Sequence, residues 1–276
     1  MTLDSFYQWQ SGWRSEARRM PVFFIGHGSP MNAIEDNVFS AEWQRLAHTM
    51  PRPSAVLVIS AHWLTRGSFV TAMDAPPTIH DFRGFPKALF DVNYPAPGEP
   101  ALANALSTGV TMTEVGLDHE WGLDHGTWSI VRHMYPDADI PVLQFSIDYA
   151  KPADYHYQLA TELRQLRQKG VLIIGSGNMV HNLRMVAWDK LSEPEYGYDW
   201  ALELNERLKN AIRTGDHRSL VQYEQFGQAA ALAIPTPDHY YPLLYAAALA
   251  DAKDTPEIFN DRAVGGSLTM TSVKWS

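Results

Sequence analysis

The sequence contains no cysteine, and this absence removes several kinds of chemistry at once. Disulfide bridges, thiolate zinc sites and cysteine nucleophiles are all excluded. If the protein binds a metal ion, the ligands must therefore be nitrogen and oxygen atoms, which leaves histidine, aspartate and glutamate as the side chains of interest.

Excess positive charge and long apolar runs are also missing. The formal net charge of the 276 residues is −9, which argues against nucleic acid or an anionic membrane as the main partner. No run approaches the ~18 apolar residues that a membrane-spanning helix needs, and the N-terminal residues lack the apolar core of a signal peptide. We therefore expect a cytoplasmic protein that does not bind nucleic acid or membrane.

Several familiar catalytic motifs are absent as well. The chain has no GxGxxG fingerprint, no Walker lysine and no GxSxG elbow, so dinucleotide binding, P-loop chemistry and α/β-hydrolase chemistry are unsupported. A Gly-Ser-Gly sequence at 175–177 follows an apolar run, but alone it is only a weak signal for a nucleotide site.

Apolar runs with strand character alternate with segments of helical spacing along most of the chain. The predicted strands are 22–25, 55–59, 68–72, 141–147, 171–174 and 267–273. The predicted helices are 37–50, 99–106, 129–135, 152–169, 199–212, 219–226 and 240–250. This alternation predicts an α/β fold, with a largely parallel or mixed central sheet and flanking helices. We expect a short N-terminal extension over residues 1–20 and one domain over residues 21–276.

Residues 74–100 show little periodicity and are rich in proline and aromatic residues. Long irregular segments within compact domains are usually functional or disordered, and the aromatic residues favour order. We interpret this segment as a packed loop that covers one edge of a site; a loop that only fills the surface is the alternative.

Histidines follow three of the predicted strands. His27 and His62 come directly after two apolar runs, and His181 comes shortly after a third. His239 lies at the start of a predicted helix. Because ligands of open α/β sheets bind outside the carboxyl ends of the strands, these imidazoles could meet at one edge and bind a first-row divalent metal. Taken singly, each could instead be a histidine at the edge of the core that is hydrogen-bonded to backbone.

His125 is a candidate general acid or base, because a positioned imidazole transfers protons near neutral pH. Asp124 or Asp118 could orient it. The alternative is a structural turn in which Gly126 supplies unusual backbone angles. Of the remaining histidines, we expect solvent-facing or capping roles for four and leave two loop residues unassigned; they are His48, His133, His156 and His217, and His80 and His119.

Six segments taken in order resemble the class III extradiol ring-cleaving dioxygenases of the LigB type, and in particular the DOPA-cleaving branch. They are GHGSPMN (26–32), SAHW (60–63), PPTIHDFRGFP (76–86), LDHGTW (123–128), GSGNMVHNL (175–183) and PTPDHYYPLLY (235–245). The resemblance runs from about residue 21 to the C-terminus.

The resemblance implies an α/β fold and one divalent metal ion per chain, with Fe(II) for catalysis and Zn(II) as a metal also bound by bacterial members. His27 and His62 match the family's two histidine ligands. His239 lies near the position at which the protocatechuate enzymes use a glutamate, which would give an all-nitrogen ligand set. His181 matches the acid–base histidine and could serve as a fourth ligand with zinc. His125 matches a histidine that contacts substrate or oxygen.

The implied reaction is extradiol, 4,5-type cleavage of a catechol such as L-DOPA by O2, which gives a ring-opened semialdehyde. The catechol and O2 would be the small-molecule partners, and the sequence names no partner chain. Two alternatives remain open at this stage: a zinc-dependent hydrolase, in which a histidine-bound zinc activates water, and a non-catalytic metal-binding or partner subunit.

Overall fold

A six-stranded mixed sheet lies at the centre of the fold. The computed structural model describes residues 19–276, so the predicted extension falls outside the described residues apart from its last two positions. The strands are β1 (Val22–Gly26), β2 (Ala55–Ser60), β3 (Leu64–Thr65), β4 (Ser68–Thr71), β5 (Val115–Asp118), β6 (Val142–Gln144), β7 (Ile147–Asp148), β8 (Val171–Gly177), β9 (Pro256–Phe259), β10 (Ala263–Val264), β11 (Leu268–Thr269) and β12 (Ser272–Trp275).

Helices cover both faces of this sheet. The α-helices of the described residues are α1 (Val38–His48), α2 (Lys87–Phe90), α3 (Pro100–Gly109), α4 (His125–Met134), α5 (Ala153–Glu162), α6 (Asp199–Thr214), α7 (His217–Val221), α8 (Gln228–Ala233) and α9 (Tyr241–Leu249). Short 3₁₀ helices lie at Pro30–Ala33, Arg164–Lys169, Leu183–Met185, Trp188–Lys190 and Tyr223–Phe226. The α/β architecture with a mixed central sheet is therefore as the sequence predicts.

The strand order of the central sheet is β6-β2-β8-β1-β12-β9. The first four strands run parallel to one another, β12 is antiparallel to β1, and β9 is antiparallel to β12. Successive side chains of β1 enter different cores: Val22 and Phe24 pack on one face of the sheet, Phe23 and Ile25 on the other. A strand buried on both faces is a nearly continuous apolar run, which is why the sequence located these strands so well.

The register of the parallel strands decides where their ends lie. Ser176 of β8 is paired with Ile25 of β1 on one side and with Ser60 of β2 on the other. The carboxyl ends of these three strands are therefore level, and residues that follow them emerge at one edge of the sheet.

Two apolar segments that the sequence predicts as single strands are divided in the structure. Residues 141–147 supply β6, which pairs with β2, and the first residue of β7, which pairs with the short β3. Residues 267–273 contain β11 and the start of β12, with different partners. The break at Phe145 and Ser146 follows from backbone hydrogen bonds to Val58 and Phe69 on separate strands. The hydrophobic pattern of the sequence cannot show where a chain segment changes its partner strand.

Helix boundaries differ from prediction at two informative places. The helix predicted over 152–169 is α-helical only to Glu162 and continues as a 3₁₀ helix to Lys169, where Gly170 ends it with a left-handed backbone (φ 77°). The helix predicted to begin at residue 129 begins at His125. None of the helices in the described part of the chain is both long and apolar enough to span a bilayer.

Candidate metal centre

Five imidazoles, here called the histidine cluster, meet at the carboxyl edge of the parallel strands: His27, His62, His125, His181 and His239. His27 directly follows β1, His62 lies two residues beyond β2, and His181 lies four residues beyond β8. The level strand ends bring these three together. All of the site residues predicted from the sequence lie in this cluster, although their chemical roles remain predictions.

Three of the rings form a nearly regular triangle. The ring centroids of His27, His62 and His239 are 5.0 Å, 5.3 Å and 5.0 Å apart for the pairs 27–62, 27–239 and 62–239. The Nε2 atoms of His27 and His62 are 3.1 Å apart. Two nitrogens at this spacing can bind one ion at the usual zinc–nitrogen distance of about 2.0–2.1 Å.

The other two histidines flank the triangle. The ring of His181 stacks on that of His239, with centroids 3.5 Å apart and planes 5° from parallel. The ring of His125 lies 3.9 Å from that of His62 and 5.5 Å from that of His27. The potential ligand atoms lie within 4.8 Å of one another in each of two sets: His27, His62 and His125 in one, and His181, Asp238 and His239 in the other. The set of His27 and His62 therefore includes His125, whereas His239 is close to them by its ring centroid, at 5.3 Å and 5.0 Å.

The hydrogen bonds of Ser176 fix the tautomer of His27. The hydroxyl of Ser176 donates to the carbonyl oxygen of Gly126 at 2.6 Å, so its only hydrogen is used. The contact of 2.9 Å between this hydroxyl and His27 Nδ1 must then be donated by the imidazole. In the neutral ring, Nε2 keeps its lone pair, and this is the atom that faces His62. The Gly-Ser-Gly sequence thus serves the histidine cluster.

His239 is oriented by the carboxylate next to it in sequence. Its Nδ1 donates to Asp238 Oδ2, which leaves Nε2 unprotonated in the neutral ring. Burial alone would raise the pKa of Asp238, but the hydrogen bond and charge of His239 outweigh burial and lower it well below the ordinary value. A histidine held by a carboxylate on one nitrogen, with the other nitrogen free, is a common arrangement in metal sites.

Gly177 explains how His239 reaches the strand edge. A Cβ added to Gly177 would lie 2.1 Å from the carbonyl oxygen of His239. That same carbonyl accepts a hydrogen bond from the backbone N–H of Asn178 at 2.9 Å. The backbone before α9 is therefore seated directly on the end of β8, in contact that a side chain at 177 would prevent.

His125 is oriented by Asp81, which corrects the expectation that Asp124 or Asp118 would do so. Asp81 Oδ2 accepts from His125 Nδ1 at 2.8 Å, and Oδ1 accepts from the backbone N–H of His125 at 2.9 Å. Asp124 is instead the buried N-cap of α4, with hydrogen bonds from Ser60 and Gln144. Asp118 accepts from two backbone N–H groups of its own turn. Asp81 belongs to the proline-rich loop, 44 residues before His125, and no local pattern could have linked the two.

Gly126 does not act as the sequence alternative supposed. It lies in the first turn of α4 and is not among the glycines with positive φ. Its missing side chain matters for space: an added Cβ would lie 2.6 Å from Ser60 Oγ and 2.9 Å from His62 Cδ2. The ring of His62 therefore rests against the start of this helix.

Burial keeps the central imidazoles neutral. Desolvation is the largest effect on His27 and His62, and neighbouring imidazoles add to it, so the pKa of each ring lies well below the ordinary value. For His181, burial and then His239 lower the pKa to about 3. Neutral imidazole is the form that binds metal ions, so at neutral pH these rings offer lone pairs without prior loss of a proton.

The proline-rich loop closes one side of the histidine cluster, as the interpretation of a covering loop requires. Besides the contacts of Asp81, the ring of Phe82 meets that of His125 edge-on, with centroids 5.6 Å apart. Phe82 in turn packs against Phe85, Phe90 and Trp128. These contacts account for the order that the aromatic residues of this segment predicted.

The remaining six histidines lie outside the histidine cluster. His48 and His119 are exposed, His80 contacts the carbonyl oxygen of Val92, and His133 contacts that of Asn32. His217 is the first residue of α7 and contacts the hydroxyl of Tyr157. The prediction of a solvent-facing or capping role was wrong for His156. This residue of α5 is fully buried against α9, where it contacts the hydroxyl of Tyr245.

The chain is similar to several known proteins. The family described as the catalytic LigB subunit of aromatic ring-opening dioxygenase matches residues 21–270. The 4,5-DOPA dioxygenase extradiol of Escherichia coli K12 is 49% identical over 260 residues, which cover 93% of this chain and 94% of that protein. The protein of the same name from Beta vulgaris is 37% identical, with 95% and 98% covered.

A solved structure shares the fold. The crystal structure of the uncharacterized protein JW3007 from Escherichia coli K12 superposes with a TM-score of 0.81 at 42% identity, and the match covers 94% of this chain and 100% of that one. The hydrolase and the non-catalytic subunit that the sequence left open have no such support. The chain belongs to the LigB family and is an extradiol ring-cleaving dioxygenase, an oxidoreductase that acts on a small aromatic molecule and O2.

Proposed function

We propose that this dioxygenase opens the ring of a small catechol such as L-DOPA by 4,5-type extradiol cleavage, to give a semialdehyde. The names of the relatives from Escherichia coli and Beta vulgaris support this substrate class. The observation that carries the proposal is the triangle of His27, His62 and His239, whose ring centroids lie about 5 Å apart at the edge of the sheet.

The donor set fits one divalent metal ion, which His27, His62 and His239 would hold. Fixed tautomers leave Nε2 available on His27 and His239, and His62 Nε2 already lies 3.1 Å from the first of these atoms. Bound there, Fe(II) supplies the Lewis acidity and the electron transfer that a reaction between a catechol and O2 needs. An all-nitrogen set also suits zinc, so we propose Fe(II) for turnover and Zn(II) as a competing occupant.

His239 is a better third ligand than His125 for an electrostatic reason. His125 is the first residue of the helix α4, where unpaired N–H groups carry partial positive charge. A cation is disfavoured at such a position, whereas an anionic substrate oxygen is stabilised. His239 also precedes a helix, α9, but it lies two residues before the first helical residue and not in the first turn. Both rings have a carboxylate on Nδ1, Asp81 for His125 and Asp238 for His239, so the difference between them is their position relative to the helix N-terminus.

His181 would act as the base for a catechol hydroxyl. Burial and His239 lower its pKa to about 3, so the ring is neutral at pH 7 and has a lone pair to offer; the charge of Asp238 acts in the opposite direction and favours the protonated ring. Its ring lies flat on that of His239, so a proton acceptor stands beside the proposed metal ligands. His125 would contact the substrate or oxygen from the opposite side, with the carboxylate of Asp81 behind it to stabilise positive charge if the ring takes up a proton.

Anaerobic reconstitution tests this function. The metal-free protein is loaded with Fe(II), mixed with L-DOPA without oxygen and then exposed to air. We expect a yellow ring-opened product and one O2 consumed for each catechol. The Zn(II)-loaded protein should form none. Absence of product with L-DOPA and with other simple catechols would refute the proposal.

Two variants make this assay specific for the histidine cluster. His181→Ala should slow turnover by about 10²–10⁴-fold, the usual contribution of a general base, with partial retention of metal. His48→Ala removes an exposed imidazole of α1 and should leave both turnover and metal content unchanged. Equal turnover rates for the two variants would show that His181 takes no part in the reaction.

A further inference from the structure

We propose that Asp81 is a positioning residue that sets the tautomers of two imidazoles at once, one on each side of the substrate. Its Oδ2 atom lies 2.8 Å from His125 Nδ1 and 3.5 Å from His62 Nδ1. The inference rests on the proposed function only in treating His62 as a metal ligand and His125 as a residue that faces the substrate.

The loop that carries Asp81 is tied to the segment that carries His125. The two segments exchange backbone hydrogen bonds: the N–H of Ile79 donates to the carbonyl oxygen of Leu123 at 2.7 Å, and the N–H of Leu123 donates to that of Pro77 at 2.8 Å. The indole N–H of Trp128, one turn into α4, donates to the carbonyl oxygen of Ile79 at 2.8 Å. These hydrogen bonds hold the backbone near Asp81 against the backbone near His125, and they therefore fix the position of the Asp81 carboxylate.

A carboxylate is needed here because His125 presents two donors in one direction. Its backbone N–H uses Oδ1 of Asp81, and its Nδ1–H uses Oδ2. An ionised carboxylate accepts on both oxygens and donates nothing, so the neutral ring of His125 must carry its hydrogen on Nδ1 and keep the lone pair on Nε2. An amide in the same place has an NH2 group where the carboxylate has its second oxygen, so one of the two donors of His125 would face another donor.

The same oxygen acts on His62 through charge and proximity. At 3.5 Å the contact with His62 Nδ1 is an electrostatic one, and it favours a hydrogen on that nitrogen over a lone pair. In the metal-free protein, Nε2 of His62 can donate to the lone pair of His27 Nε2 at 3.1 Å, so Asp81 decides the tautomer of His62 when a metal ion takes up the Nε2 lone pairs. The side chain of Asp81 is only 14% exposed, so water screens its charge weakly.

This arrangement makes one side chain responsible for two properties of the enzyme. Loss of the carboxylate should weaken metal binding through His62 and misdirect the substrate-side nitrogen of His125. Groups that orient metal-binding histidines typically contribute 10–100-fold to metal affinity or activity. The covering loop would thus supply part of the active site as well as its wall.

The test uses Asp81→Asn, with Asp91→Asn as the matched control. Asp91 lies in the same loop, and its carboxylate pairs with the exposed Lys87. Long-range ¹H–¹⁵N NMR of the metal-free protein reports the tautomer of each histidine. We expect metal-free wild-type His125 with the hydrogen on Nδ1, and a shift of His125 towards Nε2–H in Asp81→Asn; in the zinc-loaded wild type we expect His62 with the hydrogen on Nδ1. Chelator competition should show zinc and cobalt(II) bound about 10–100-fold more weakly, with Asp91→Asn unchanged.

Two results would overturn the inference. One is a wild-type protein in which metal-free His125 carries its hydrogen on Nε2, a measurement that requires no variant to fold. The other is a folded Asp81→Asn protein with the wild-type tautomers and metal affinity within twofold of Asp91→Asn. Neither readout depends on turnover. Failure of the Fe(II)-loaded wild type to cleave catechols would therefore refute the proposed function and leave the role of Asp81 to be judged separately.

Discussion

Polar groups are buried at both ends of the central parallel strands, but the two ends differ in whether those groups satisfy one another. At the amino ends lies an ion cluster of Arg19, Arg167, Asp251 and Asp254. The fully buried guanidinium of Arg167 donates to both oxygens of Asp254 and to the carbonyl oxygens of Met20, Leu249 and Trp275. The ion cluster needs no external group.

At the carboxyl ends, the histidine cluster is arranged in the opposite way. Its outward-facing nitrogens are held by protein groups: Nδ1 of His27 by Ser176, of His125 by Asp81, and of His239 by Asp238. Its inward-facing nitrogens instead face one another, as the 3.1 Å between His27 and His62 Nε2 illustrates. A saturated polar network stabilises a fold, whereas converging lone pairs are stabilised best by an ion from outside. We therefore assign the ion cluster to the stability of the fold and the histidine cluster to the binding of a ligand.

The largest effect should come from the ion cluster. Asp254→Asn leaves the buried charge of Arg167 without its partner, and breaking a buried pair of this kind costs about 3–5 kcal/mol. Chemical denaturation should show this loss, while the metal bound by the folded protein stays as in the wild type. The exposed pair Arg52–Asp139 is the control, since Asp139→Asn should cost less than about 1 kcal/mol. Similar losses for the two variants would contradict the contrast.

The next largest effect concerns the third metal ligand. His239→Ala should weaken metal retention by more than about 100-fold, because replacing a group that merely orients a ligand already costs 10–100-fold. The fold should survive, as judged by circular dichroism and thermal unfolding of the metal-free protein. His125→Ala should keep most of its metal and lose turnover. Metal analysis that gives the reverse order would assign the third position to His125.

A smaller effect should follow from filling the space beside His62. The added methyl group of Gly126→Ala would press on Ser60 Oγ and His62 Cδ2, so the ring must move. Overpacking of this kind costs about 1–3 kcal/mol, and a displaced ring should lower metal affinity about tenfold. Ala103, which is buried in α3 away from the histidines, offers a matched site in Ala103→Val. Equal metal affinity in both variants would show that His62 tolerates the added group.

The smallest effect is the dependence of stability on acid. Burial alone would raise the pKa of Asp254, but hydrogen bonds from Arg167 and Arg19 outweigh it and hold the pKa well below the ordinary value. The stabilisation is therefore complete above about pH 4, the ordinary aspartate pKa, and is lost as the pH falls below it towards the folded-state pKa. Asp254→Asn should show a shallower decline of unfolding free energy between pH 4 and more acidic pH than the wild type. Parallel curves would contradict this prediction.

The sequence predicted the strands that carry the histidines because burial on both faces makes each an unbroken apolar run. Its motifs also resemble those of ring-opening dioxygenases, and the family match and the relatives confirm that the chain belongs to this family. It failed where structure depends on a distant partner. The division of residues 141–147 between two strands is set by β2 and β3, and the burial of His156 is set by α9.

The candidate site shows the same division between local and distant information. His239 and Asp238 are neighbours in the chain, so their pairing needs no contact between distant segments. Asp81 and His125 are 44 residues apart and meet only because Thr78 and Leu123 form a parallel bridge. Ser176 was visible only as part of a weak glycine motif, and the register of β8 gave it a role.

The sequence by itself determined which side chains are available: with no cysteine and with histidines placed after strands, nitrogen ligands at a sheet edge were the natural expectation. Only the tertiary structure decided which nitrogen of each ring is free. That choice depends on hydrogen bonds from Ser176, Asp81 and Asp238, and hydrogen bonds act over about 3 Å in space whatever the separation along the chain.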